Sequence, residues 1–392
     1  MQYRVNPKNG DRLSVLGYGC MRFTKKGGVV QQEKAEAEMK YAIEHGVNYF
    51  DTAYRYRGNE AALGKFLAKG YRKDVFIATK LPQFQLKTAA DADRYFNEEL
   101  GRLRTDYIDY YLLHMLADFR SWERLKDLGL ESWIAAKKES GAIRNIGFSY
   151  HGGSAAFMEI LDDYAWDFCQ IQYNYMDETG QAGVAGLRHA AKKGIPVIIM
   201  EPLRGGRLAD QIPESAAKVF AAASPRRSPA AFGLRWLFNQ PEVTVVLSGM
   251  NSMEQIKENI AVAEETQINA LTAADFAVYE QAREAINAVV KAACTGCGYC
   301  MPCPHGVDIP TCFRCYNAKY ADGWYKGLKE YFLCTSMKKE VSAASRCIGC
   351  GKCEKVCPQH LPIRSLLKAV EKEMEMPLYR LAKKGADLLM RF

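Results

Sequence analysis

The chain has 392 residues, of which 48% are hydrophobic, 11% aromatic and 25% charged, with a formal net charge of +8. That composition supplies a sizeable core and excludes long disordered stretches. Apolar runs such as Ile195–Met200 reach about six residues against the ~20 of a membrane span, and Met1–Gly10 is polar without an apolar signal region, so no membrane attachment and a cytoplasmic location are expected.

From the N-terminus the chain reads as strand then helix, repeatedly, as far as about residue 265. Leu16–Met21 is the first strand-like run and Glu33–His45 the helical pattern after it. Asn48–Ala53 precedes Asn59–Ala68, Val75–Leu81 precedes Asp91–Leu103, and Tyr107–His114 precedes Trp122–Glu139. Then come Ile143–Ser149 with Ala155–Tyr164, Phe168–Asn174 with Gly183–Lys193, Ile195–Glu201 with Pro229–Asn239, and Thr244–Gly249 with Met253–Val262. The strands are short and rich in β-branched or aromatic residues, and the helices carry apolar residues at i, i+3 and i+4. Eight such repeats predict an α/β fold of the (β/α)8, or TIM, barrel type over residues 1–265; a doubly wound sheet also alternates, but eight repeats favour closure. From Leu271 the texture changes. Residues 266–290 read as a helical connector, and 291–392 as a small, mainly helical domain with two cysteine-rich segments around a helical, aromatic stretch, Asp308–Leu333. Arg364–Phe392 reads as an amphipathic helix broken near Pro377.

A barrel of this kind carries its active site at the C-terminal ends of its strands. The second strand ends in Phe50-Asp51-Thr52-Ala53 with Tyr56 just beyond, the third in Ala78-Thr79-Lys80 and the fourth in Leu112-Leu113-His114. Alone, each residue reads as a solvated lysine or a core histidine. Four polar groups converging from three adjacent strands suit the reduction of a carbonyl. A nearby ammonium should lower the phenol pKa of Tyr56, a carboxylate should hold that ammonium, and an imidazole should position the carbonyl oxygen.

These residues, with Leu16-Gly17-Tyr18-Gly19, Ile146-Gly147-Phe148-Ser149, Ser248-Gly249-Met250 and Glu258-Asn259, make Leu13–Ala263 resemble the aldo/keto reductase family. The resemblance implies a catalytic tetrad of Asp51, Tyr56, Lys80 and His114, with Tyr56 as proton donor, and a nicotinamide dinucleotide, NADP or NAD. It also implies that Ser149 and Gln170 hold the carboxamide, and that Gln255, Glu258 and Asn259 line the adenosine pocket. Phosphate sites in such barrels follow the last two strands, where Leu203-Arg204-Gly205-Gly206 and Gly249-Met250-Asn251-Ser252 offer glycines and a helix N-terminus. Three positions depart from the family pattern: Tyr150-His151 replaces a common asparagine, Met200 stands where an aromatic ring commonly stacks on the nicotinamide, and Gln255 stands where an arginine often meets a 2′-phosphate.

Eleven of the 13 cysteines lie between Cys294 and Cys357. Cys347-x2-Cys350-x2-Cys353-x3-Cys357-Pro358 has the bacterial ferredoxin spacing, and Cys294-x2-Cys297-x2-Cys300-x2-Cys303-Pro304 is one residue shorter at its last spacer. The pair predicts two [4Fe–4S] clusters, with zinc as the alternative. In two-cluster ferredoxins the fourth cysteine of each run serves the other cluster. By that rule Cys294, Cys297, Cys300 and Cys357 hold one cluster, and Cys347, Cys350, Cys353 and Cys303 the other. Cys312, Cys315 and Cys334 read as buried thiols, with Cys312-x2-Cys315 a possible spare ligand pair.

The whole +8 lies in residues 291–392, which hold 17 basic and nine acidic side chains. Anionic clusters offset part of it, and a redox partner protein is a further use; no recognition motif points to nucleic acid. The expected function is NAD(P)H-dependent reduction of a small carbonyl substrate, with clusters for electron transfer or structure. The alternative is an electron-transfer or scaffold protein whose barrel is not a carbonyl reductase.

Overall fold

The structure is a computed structural model that describes every residue except 295, 297, 322, 337–340, 358, 378, 380–382 and 384–392. Cys297, Pro358 and most of the segment after Pro377 therefore lie outside the described residues. The chain divides into two compact units, one of residues 1–210 with 228–272, the other of residues 211–227 with 273–392.

Eight parallel strands close the barrel of the first unit. They are β1 (Leu16–Gly19), β2 (Tyr49–Asp51), β3 (Phe76–Leu81), β4 (Ile108–Leu116), β5 (Ile143–Tyr150), β6 (Phe168–Gln172), β7 (Val197–Met200) and β8 (Val243–Ser248). Each strand pairs with its sequence neighbour, and β8 closes on β1 through Val246–Leu16 and Ser248–Tyr18. The expected strands are all present, mostly trimmed by one to three residues at their ends. The expected helix Trp122–Glu139 is two helices, Phe119–Asp127 and Leu130–Glu139, because Gly129 takes a left-handed conformation (φ 79°) that ends the first and caps the second.

Side chains fill the barrel. Tyr49, Tyr110 and Phe168 meet edge to face at 5.2 and 5.0 Å, with Ala78, Leu112, Ile198 and Val245 around them. The N-terminal hairpin (Tyr3–Val5 paired with Arg12–Ser14) serves the same core: Leu13 is buried in it, and Tyr110 donates to Asp11 Oδ2 (2.7 Å) and accepts from Asn6 Nδ2 (3.1 Å). This ties down the phenol of a tyrosine that would otherwise be an unsatisfied buried group.

The second unit is helical. Glu214–Ala222 is a helix that the sequence pattern did not single out, and within this unit it packs on Ala273–Val289. The aromatic stretch forms Ile309–Ala321 and Trp324–Thr335, separated at Gly323 (φ 100°), and these enclose a core with Ile363–Met374. Phe313, Tyr316, Tyr331, Leu367 and Val370 are buried there, and the Tyr331 hydroxyl donates to Glu375 Oε1 (2.7 Å) while accepting from Ala344 N (2.8 Å). Cys312 and Cys315 belong to this core as free thiols, and burial pushes the Cys315 thiol up to about 12. Among the described residues no helix is long and apolar enough to cross a membrane.

Candidate active site and cluster-binding cysteines

The ends of β2, β3 and β4 bring the expected polar residues together. Lys80 Nζ lies 2.6 Å from both carboxylate oxygens of Asp51 and 2.7 Å from the carbonyl of Thr52. With side chains 2% and 6% exposed, the two form a buried ion pair. Gln170 Nε2 donates to Asp51 Oδ2 (2.9 Å), so β6 reaches across the mouth to the same carboxylate.

Tyr56 sits in the turn after β2, held by hydrogen bonds from its own N–H to Ala53 and from Asn59 N–H to its carbonyl, each 2.9 Å. Gly58 (φ 81°) then permits the sharp entry into helix Asn59–Leu67. Lys80 Nζ is 5.3 Å from the centre of the Tyr56 ring, and the His114 ring stands edge-on to it at 6.2 Å. The Tyr56 hydroxyl is held above its ordinary pKa by burial and by the carboxylates of Asp51 and Glu201, against the opposing charge of Arg22. The sequence reading expected the ammonium to lower it. The correction is physical: burial of the phenol weighs most, and the Asp51 carboxylate that holds Lys80 opposes ionisation of the phenol as well. A raised value keeps Tyr56 in the protonated form, the one that can donate.

His114 is buried and uncharged, since burial first and the Lys80 charge second hold its pKa well below the ordinary value. Its Nδ1 has no hydrogen-bond partner among the described residues. Its backbone is fixed by a bulge, where the pairing of β4 with β5 shifts between Leu113 and Leu116 and Met115 adopts φ 64°. Ser149 Oγ accepts from Met115 N (2.8 Å) and Gln83 Nε2 donates to the His114 carbonyl (3.2 Å), which pins that bulge. As an acceptor from Met115 N, the Ser149 hydroxyl still has its own proton to donate.

Three residues that the tetrad pattern did not single out belong to this mouth. Cys20 is buried within electrostatic reach of Asp51 and Lys80. His151, noted in the sequence only as a departure, lies 3.2 Å (Nδ1) from Gln181 Oε1, and burial lowers its imidazole to about 4. Glu201, after β7, is pushed up to about 7 by burial and by Asp177, against Arg22, Arg204 and Arg207. Glu201 ends the expected strand Ile195–Glu201, so its place at this end of the barrel was open to the same argument as Asp51 and Lys80; that it faces Tyr56 comes from the fold.

The proposed dinucleotide residues form the far side. Met200 ends β7, half-buried. Leu203 follows, and Arg204 is committed to Asp177 (Nε to Oδ2 2.8 Å), an ion pair that overcomes the burial of Asp177 and keeps its carboxyl below the usual range. Arg22, exposed, lies between the two glycine segments. A Cβ at Gly205 would come within 2.7 Å of its guanidinium, and one at Gly249 within 2.6 Å of its stem. Gly205 adopts φ 66°, which favours glycine, and both glycines lie close under the Arg22 side chain, which leaves backbone N–H groups and a cation around one cradle suited to a phosphate. At the start of helix Met253–Glu265, Ser252 caps Gln255 N (3.3 Å) and the Gln255 side chain accepts from Asn251 N (3.0 Å). Met250 is buried, Glu258 is exposed and Asn259 donates to Ser248 Oγ (3.0 Å).

In the second unit, one depression is lined by Cys303 from the first cysteine run and by Cys347, Cys350 and Cys353 from the second, together with Cys300 and the apolar Ile309, Ile348 and Val356. Cys303, Cys347, Cys350 and Cys353 are the set expected for one cluster, and Cys300, expected in the other, lines the same depression. Cys294 and Cys357 pack against the same core, while Cys297 is outside the described residues. The thiols are free, and Gly296 N donates to Cys294 Sγ (3.4 Å). Among the described residues no three His, Cys, Asp or Glu side chains already stand at ligating distances around one point. The donor set itself, thiols from both runs around one apolar depression, fits an iron–sulfur group.

A closed parallel barrel with a buried Asp–Lys pair, a phenol and a neutral imidazole at its C-terminal mouth defines an oxidoreductase of the barrel-reductase class, joined to an iron–sulfur domain. Comparison with known proteins gives the family. Residues 15–284 match the aldo/keto reductase family, and the chain belongs to it; residues 293–361 match the 4Fe-4S dicluster domain. An L-galactose dehydrogenase of Arabidopsis thaliana is 27% identical over 68% of this chain and 89% of its own length. An aldo-keto reductase of Mycolicibacterium vanbaalenii is 32% identical over 64% of this chain and 82% of its own length. Among solved structures, the holo form of aldo-keto reductase AKR11C1 from Bacillus halodurans superposes with a TM-score of 0.60 at 25% identity, covering 72% of this chain and 96% of its own. An aldo/keto reductase from Klebsiella pneumoniae, solved with NADP and acetate, has the same fold (TM-score 0.57, 23% identity, 72% and 95% covered).

Proposed function

We propose that the barrel reduces an aldehyde or ketone with NADP(H), taking the proton from Tyr56, and that the cysteine runs hold two [4Fe–4S] clusters. The observation that carries the reading is the buried Lys80–Asp51 pair 5.3 Å from the Tyr56 ring, with His114 at 6.2 Å on another side. The cradle of Arg22, Gly205 and Gly249 suits the dinucleotide phosphates, and Ser149 and Gln170 suit the carboxamide, each with hydrogen-bonding capacity left beyond its bond within the protein. Met200 offers an apolar contact in place of a stacking ring. NADP in the Klebsiella relative supports the choice of dinucleotide.

A reduced dinucleotide held there by Arg22, Ser149 and Gln170 would supply a hydride to the carbonyl carbon. His114, uncharged, donates a hydrogen bond to the carbonyl oxygen and orients it. As the C=O bond becomes a single bond, the Tyr56 hydroxyl gives its proton to that oxygen, and Lys80, held by Asp51, stabilises the phenolate that forms. Tyr56 then regains a proton from solvent. Clusters held by the two cysteine runs would exchange single electrons, and their ligand bonds would add to the small domain's core. Thiols in this number suit a reducing compartment such as the cytoplasm.

Tyr56→Phe tests the assignment. It should lower aldehyde turnover by about 10²–10⁴-fold while leaving NADPH binding, followed by protein fluorescence quenching, within about twofold. Wild-type turnover in that variant sinks the reading.

A further inference from the structure

Arg55 stands next to the proposed proton donor in the same turn, and it is placed unlike the arginines that pair with barrel carboxylates. Arg72 and Arg144 pair with Asp109, Arg102 with Glu60 and Glu98, and Arg204 with Asp177. No carboxylate pairs with Arg55 among the described residues. Its guanidinium is exposed and lies 5.7 Å from the centre of the Phe84 ring. Phe84 is itself 43% exposed, and its ring is 6.3 Å from that of His114. An unpaired cation, an open aromatic wall and the imidazole that meets the carbonyl oxygen thus follow one another along the substrate side of the mouth. His114 and His151 are both uncharged, so neither competes as the positive group there. The Arg55 charge also contributes to keeping His114 neutral, which places it within electrostatic reach of the reacting end.

We propose that the carbonyl substrate bears a carboxylate a few bonds from its carbonyl carbon, with Arg55 binding that carboxylate and Phe84 covering the carbons between. The planar guanidinium fork matches a carboxylate and gives a charge-assisted, two-point contact. The inference rests on the carbonyl-reductase reading and adds the substrate class to it. Arg55 binds and aligns; the proton still comes from Tyr56.

The experiment compares 4-carboxybenzaldehyde with its methyl ester, which shares the reacting group and lacks the charge. The wild-type protein should prefer the carboxylate by about tenfold or more in kcat/KM, chiefly through KM, equivalent to about 1.4 kcal/mol. Arg55→Gln should bring the ratio of the two substrates to within about twofold, and Arg55→Lys should restore part of it. Equal kcat/KM for the pair in the wild-type protein, or a preference that survives Arg55→Gln, overturns the proposal. Binding to the Tyr56→Phe holoprotein by titration calorimetry separates this from the catalytic reading. There the carboxylate should bind about tenfold tighter than the ester, with the difference lost on adding Arg55→Gln, whether or not either compound is turned over. Equal affinities in Tyr56→Phe overturn the carboxylate assignment by themselves.

Discussion

Replacing Lys80 by methionine isolates the ion pair on which the mouth is built. Asp51 would keep Gln170 as its one side-chain donor, and the Thr52 carbonyl would lose the ammonium 2.7 Å away. Both charges are almost wholly buried, and breaking such a pair from one side costs about 3–5 kcal/mol because the remaining charge is left uncompensated. For a unit of this size that corresponds to a fall in the melting temperature of roughly 6–20 °C. Removing the second charge as well, in Asp51→Asn with Lys80→Met, should recover about 2 kcal/mol or more, since no uncompensated buried charge then remains. Urea unfolding followed by tryptophan fluorescence reads the barrel through Trp122, Trp133, Trp166 and Trp236. Aldehyde turnover should be low in the single and the double variant alike, because neither retains the cation beside Tyr56. A double variant no more stable than Lys80→Met would refute the reasoning: the lysine would then act by packing, and the Asp51 charge would already be solvated.

Two other predictions concern buried carboxyls and thiols. Glu60 and Glu99 lie behind β3, bridged by Thr79 (2.6 Å to Glu60 Oε1, 3.4 Å to Glu99 Oε1), and burial followed by the Glu60 charge raises the Glu99 pKa well above its ordinary value. The folded state thus keeps a proton that the unfolded state releases above pH about 4.3, so this group's contribution is fully present below that pH and is lost as pH rises towards the folded value. Glu99→Gln should therefore gain stability relative to wild type as pH rises from 4 to 8, and parallel urea midpoints across that range would contradict it. Anaerobically prepared protein should contain about eight irons and eight sulfides per chain, falling to about four of each in Cys350→Ala; stoichiometric zinc without sulfide would exclude the clusters.

The alternation of short β-branched strands with amphipathic helices made the barrel legible, because each element's local preference agrees with the closed fold. Asp51, Lys80 and His114 were legible for a related reason: a residue at the C-terminal end of a barrel strand has only one place to face. What escaped the sequence lay outside the regular alternation. The helix Glu214–Ala222 is short and extra to the eight strand–helix repeats, and its assignment to the second unit depends on packing against Ala273–Val289. The hairpin under the barrel is two strands of three residues, too short for an alternating pattern. Glu201 and Arg22 owe their roles to backbone geometry. Glu201 follows β7 with φ 53°, and Arg22 ends a short turn beside two glycines remote from it in sequence. The raised Tyr56 pKa could not be read either, since it depends on burial and on which carboxylates face the phenol.

The chemistry at the mouth argues that carbonyl reduction there closes without the clusters. A hydride moves two electrons together, whereas a [4Fe–4S] cluster exchanges one at a time. The groups around Tyr56 suit the first kind of step: a phenol that keeps its proton, two uncharged imidazoles and a bidentate Lys–Asp pair, all acid–base devices. None of them is needed to pass a single electron. The cysteine domain is provisioned differently. Its side chains sum to +8, while two thiolate-ligated clusters would contribute roughly −2 each, so a basic surplus remains after the clusters are counted. Such a surplus would help to stabilise anionic clusters, and an acidic electron carrier would be drawn to the same charge. On the proposed reading, the chain thus joins a two-electron site that is chemically self-sufficient to a one-electron site whose charge would suit exchange with a partner.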